Sequence, residues 1–146
     1  MATIKQFNDI LKAFDFEQVI GETMFEKRED IYDLNRAELT LGYRVTGERI
    51  GVYASPAYER MKRQMNPSAG GWVDLKLTGS FQGEITLRMI GKANAIVYSQ
   101  DSKFNALVGK YGSDILGLPN KRVSELVENR GFKSTLQKKT KEGLRL

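Results

Sequence analysis

The side chains in this sequence that can do chemistry are carboxylates, lysines, arginines, hydroxyls and phenols; histidine and cysteine are both absent. Imidazole general bases, thiol nucleophiles, thiolate zinc sites, disulfide scaffolds and the Ser-His-Asp arrangement are thereby excluded. Carboxylates alone can still hold a divalent cation or move protons, but the acids are dispersed along what reads as a helix surface, with no EF-hand spacing. A phosphate-cradling Walker loop is also missing, because Gly91-Lys92 and Gly109-Lys110 have Thr86 and Phe104 where the first glycine is required. No residue is singled out as catalytic, cofactor-binding or metal-ligating.

Binding chemistry is better represented. Arg60, Lys62 and Arg63 stand near Tyr53, Tyr58 and Trp72, a basic set with groups on which bases stack, although lysines and arginines on a helix usually form a solvated face. Toward the end, Lys133, Lys138, Lys139 and Lys141 accumulate and would carry nucleic-acid binding. Residues 1–40 hold nine acids and five bases, whereas residues 121–146 hold eight bases and three acids. Ends of opposite sign can steer a partner, bind nucleic acid or join one subunit to the next.

The element that must position much of this chemistry runs from Gly70 to Ser99. Val73, Leu75 and Leu77 alternate with Asp74, Lys76 and Thr78; beyond Gly79 the alternation resumes from Phe81 to Met89, and Ala95 to Tyr98 form a short apolar run. The spacing predicts a three-stranded antiparallel meander over about residues 72–98, with Leu75, Leu77, Phe81, Ile85 and Leu87 inward. Its outward parity, Asp74, Lys76, Gln82, Glu84 and Arg88, together with Trp72, forms the candidate protein-contact set.

Helices are expected on both sides. Thr3 and Gln6 have capping-box spacing ahead of Ile4, Phe7, Ile10, Leu11 and Phe14, and Asp15 with Gln18 opens a longer second helix to about Leu41. Residues 42–54 read as a glycine-broken loop, and Ser55-Pro56 starts a short basic helix that Asn66-Pro67 ends. Asp101 or Ser102 should cap a helix through Tyr111, stopped by Gly112, and Pro119-Asn120 should open the last helical stretch, with Gly131 weakening its middle. From about residue 133 the basic tail is expected to fray or to fold only on a partner. The whole is an α+β single domain of 146 residues, large enough for one core without metal or disulfide. No apolar run has membrane-spanning length, and the amphipathic N-terminal stretch lacks the pattern of a signal peptide.

At YASPAYERMKRQMNPSAGGWVDLKLTGSF, and again at DSKFNALVGKYGSDILGLP, the chain resembles a family of small structural proteins of tailed phages and prophages, the virion-morphogenesis or tail-completion group. The likeness covers roughly residues 40–120 and rests on a D-L-x-L-T-G-x-F strand and turn, Asp74 to Phe81, with a later Tyr-Gly at Tyr111-Gly112. It implies a non-enzymatic protein of the virion, present in host cytoplasm during assembly, that acts in head-tail joining or tail completion. Its implied partners are copies of itself in a ring and neighbouring virion proteins, with no cofactor and no membrane. The alternative is a basic nucleic-acid-binding accessory protein, whose affinity would fall steeply as salt rises.

Overall fold

A computed structural model describes residues 3–53, 55–66, 70–76 and 79–146. Helix α1 (Ile4–Ala13) begins at the expected capping box: the Gln6 amide donates to the Thr3 hydroxyl at 3.2 Å, and the Thr3 amide donates to the Gln6 side chain at 2.8 Å. Asp15 caps α2 (Phe16–Glu26) by accepting from the Gln18 amide at 3.1 Å. The expected single helix to Leu41 is two, because the backbone turns at Lys27 (φ −93°, ψ 14°) before α3 (Arg28–Thr40). Neither glycine nor proline marks this break. Arg28 instead donates its guanidinium to the Phe25 carbonyl at 2.9 Å and covers the Phe25 ring at 4.3 Å, satisfying an end of α2 from outside it.

α3 is the central helix. Ile31, Tyr32, Leu34 and Leu39 are buried along it, and the Tyr32 hydroxyl accepts the Leu87 amide at 3.0 Å, tying the helix to the sheet. Asn35, also buried, donates to the Ile31 carbonyl and accepts from the Gly117 amide, each at 2.8 Å. Gly42 (φ 78°) ends the helix region as expected, with its amide on the Leu39 carbonyl.

The sheet is smaller than the alternation predicts. Two strands pair antiparallel, β1 (Ile85–Met89) and β2 (Ala95–Ser99), in a register running from Ile85 opposite Ser99 to Met89 opposite Ala95. Residues 80–83, expected as the start of a strand, form the single turn α5 (Ser80–Gly83) after Gly79 adopts φ 88°. The expected first strand is reduced to one bridge, Trp72 to Val52, and the Val73 amide bonded to the Gly51 carbonyl at 2.9 Å. The left-handed turn at Leu75 (φ 56°) then takes the chain out of strand geometry. Leu77 and Thr78, on which part of that strand and of the family motif falls, lie outside the described residues.

α4 (Pro56–Met65) starts at Ser55, whose hydroxyl accepts the Tyr58 amide at 3.3 Å. α6 (Phe104–Tyr111) is capped by Lys103, one position after Ser102 and two after Asp101, and Asp101 accepts the Lys103 amide at 2.7 Å. Gly112 ends it, a 3-10 turn at Ser113–Ile115 follows, and α7 (Asn120–Asn129) and α8 (Phe132–Leu144) flank Gly131 at φ 79°. Residues expected to fray are thus a helix, α8, packed on α2 and α7. One core cluster gathers Tyr32, Leu39, Ile50, Val73, Phe81, Ile85, Ile115 and Leu116 between α3, the sheet and α6; Ile31, Leu34 and Leu126 form a second beneath α7.

Candidate functional site: a lysine and tyrosine cleft

The contact residues expected on one sheet face are divided by the fold. Asp74 and Gln82, assigned to the outward parity, are buried. Asp74 ion-pairs with Lys62 and its carbonyl accepts the Gln82 side-chain amide at 2.8 Å, so these two residues face an internal polar cluster. Glu84 and Arg88 are exposed, Arg88 lying 5.6 Å from the Tyr98 ring. Lys76 is exposed as well. Trp72 is a half-buried lid: its indole donates to the Thr40 carbonyl at 3.1 Å, the Arg49 guanidinium stacks 4.2 Å from its ring, and Gly42 and Gly70 leave no room for side chains beneath it. Those two glycines are the signal that a large ring would be laid on the backbone here.

A pair that sequence reasoning did not join lies behind the wall of a cleft, with Lys62 in its lining. Lys62 is 2% exposed and Asp74 3% exposed, and the Lys62 ammonium donates to both the Asp74 carboxylate and the Tyr53 hydroxyl. Burial disfavours the Lys62 cation, but the hydrogen bonds to Asp74 and Tyr53 outweigh it and raise its pKa. Burial also pushes the Tyr53 phenol up, against the pull of Lys62, so Tyr53 is neutral at physiological pH. The cleft outside this pair has a volume of about 380 Å³. Tyr53, Tyr58, Phe81 and Tyr111 supply aromatic walls; Lys76, Lys103 and Lys110 supply cations, with Lys110 lying 5.1 Å from the Tyr111 ring. Its acid, Asp101, accepts from the Ser80 hydroxyl and the Lys103 amide, and both bonds hold its carboxyl below the usual range.

The basic set named for nucleic acid is also divided. Lys139 pairs with Glu26 at 3.3 Å and Lys133 approaches Glu128 at 3.9 Å, whereas Lys138 and Lys141 are exposed with no carboxylate at ion-pair distance among the described residues. More generally, the acidic first third and basic last third meet within one chain. Arg130 reaches Asp30 at 3.3 Å, and Lys121 and Arg122 both reach the buried Glu38, at 3.2 and 2.6 Å.

Two helix faces remain open. On α1, Ile4, Phe7 and Leu11 form an exposed stripe, Ile4 at 91%, and no residue of the helix is buried. On α4, Tyr58, Met61 and Met65 repeat the same three-then-four spacing, also exposed. Among the described residues no acidic cluster suits a metal ion, and no helix is long and apolar enough to cross a membrane. No family model matches the chain, and neither a curated protein nor a solved structure is found to be similar to it.

Proposed function

We propose that the chain is a non-enzymatic structural protein of a tailed-phage or prophage virion, acting in head-tail joining or tail completion by assembling with copies of itself into a ring. The observation that carries this reading is the presence, among the described residues, of two separate exposed apolar helix faces, on α1 and on α4. A ring needs a heterologous contact, in which two different surfaces of one subunit match. The α1 stripe is flanked by Lys5, Asp9 and Lys12, and the α4 stripe by exposed Arg60 and Arg63. α1 of one copy laid on α4 of the next buries both stripes. Glu84 and Arg88, exposed on the hairpin, remain open to neighbouring virion proteins.

The test is complementation of assembly. Phe7→Glu with Leu11→Glu should leave the chain monomeric by light scattering, and so should Met61→Glu with Met65→Glu. Mixing the two variants should restore one interface and give a dimer that grows no further. Two variants that stay monomeric on mixing, with the unaltered chain also monomeric, would overturn the reading. Loss of assembly from the α1 changes alone would replace the ring by a two-fold contact.

A further inference from the structure

The cleft beside Lys62 has features that a contact between copies does not require. Its volume, about 380 Å³, lies near the lower end of the range for small-molecule sites, roughly 300–1,000 Å³. Its walls are aromatic and its charged groups are mostly cationic: Lys76, Lys103 and Lys110 have no carboxylate at ion-pair distance among the described residues, and the one acid, Asp101, is held by Ser80. At its inner end the Tyr53 oxygen accepts from the buried Lys62 ammonium, and a phenol in that position keeps its own proton to donate. A neutral hydroxyl donor at the base, rings on the sides and ammonium groups at the mouth match a ligand with a flat ring, a hydrogen-bond acceptor on that ring and a negative group at the other end. A cleft built for an apolar segment would have no use for three cations that lack a carboxylate partner among the described residues.

We propose that this cleft binds a small planar anion of the nucleoside monophosphate class, with the ring held among Tyr53, Tyr111 and Phe81 and the phosphate held by Lys76, Lys103 and Lys110. The cleft is lined from α4, α5, α6 and the segment before α5, and of the α4 stripe it shares only Tyr58, since Met61 and Met65 do not line it. Ligand binding and oligomer formation can therefore fail separately.

The full chain should be titrated with adenosine 5′-monophosphate, with adenosine and with inorganic phosphate, followed by calorimetry and by amide chemical shifts. The monophosphate should bind saturably at one site and shift amides of α6 and residues 70–76, and each half alone should bind more weakly. Lys103→Gln with Lys110→Gln, both exposed, at the cap and in the last turn of α6, should weaken it by about tenfold or more, the loss expected when charge-assisted hydrogen bonds are removed. Lys138→Gln with Lys141→Gln should leave affinity unchanged. A dinucleotide binding more tightly than the monophosphate would move the assignment from a free nucleotide to a strand terminus. The proposal is overturned if no saturable binding occurs, if the two lysine pairs weaken binding equally, or if phosphate alone binds as tightly as the monophosphate.

Discussion

Lys62 and Asp74 depend on each other more than the fold depends on the pair. An ion pair removed from water costs its desolvation, and that cost is recovered only while both charges are present. Asp74→Ala should therefore destabilise by about 3–5 kcal/mol in urea unfolding, since the Lys62 ammonium would be left with the Tyr53 hydroxyl alone. Lys62→Met combined with Asp74→Leu should lose much less, and a double variant as unstable as Asp74→Ala would show that the pair is worth more than its apolar replacement. The pH dependence has a definite sign. Lys62 is raised above its ordinary value, so its contribution is complete below the unfolded lysine value, near pH 10.4, and disappears as pH climbs through the folded one. Tyr53, raised mainly by burial, ionises more readily in the unfolded chain and pulls in the same direction above about pH 10. Stability should be flat through neutral pH at this site and fall on the alkaline side, and the double variant should lack the lysine part of that fall.

Among the elements, the contact between α2 and the hairpin turn is the tightest constraint. A Cβ on Gly21 would lie 1.8 Å from the Lys92 carbonyl oxygen, so Gly21→Ala must push helix and turn apart. A loss of about 1–3 kcal/mol is expected from such overpacking, together with faster amide exchange at residues 90–94. Across the turn, Lys92 and Asp15 pair at 2.5 Å. Helix starts and stops were readable because their causes are local: the Thr3 box, Asp15, Ser55-Pro56 and Gly112 each act within four residues. The first strand was misread for the opposite reason. Val73 and Asp74 alternate in polarity but are buried side by side, one in the core and one against Lys62, so polarity did not report direction. A partner twelve residues away on another helix leaves no mark in a period-two pattern. The break at Lys27 was hidden because its cause is the Arg28 side chain folding back, and the cleft because it is assembled from α4, α5, α6 and an irregular segment.

For the whole molecule, the charge asymmetry has changed its meaning. Opposite ends that looked available for neighbouring subunits are joined in cis by Lys139 to Glu26, Arg130 to Asp30, and Lys121 and Arg122 to Glu38. Arg122→Ala should accordingly be the most damaging of these truncations. Glu38 is 2% exposed and its second oxygen has no hydrogen-bond partner among the described residues, so the loss of Arg122 would leave a buried carboxylate with Lys121 as its remaining cation there. A midpoint in urea no lower than that of Lys139→Ala would show that Glu38 finds other compensation. The same joining of ends bears on timing. A chain emerging from the ribosome presents α2 and α3 long before α7 and α8 exist, and contacts spanning 83 to 113 positions close late. Through most of synthesis the acidic surface is uncovered and Glu38 keeps its water, so the central helix has reason to stay loosely held until residues 121–144 are made. Completion of the fold would then wait until α7 and α8 have been made.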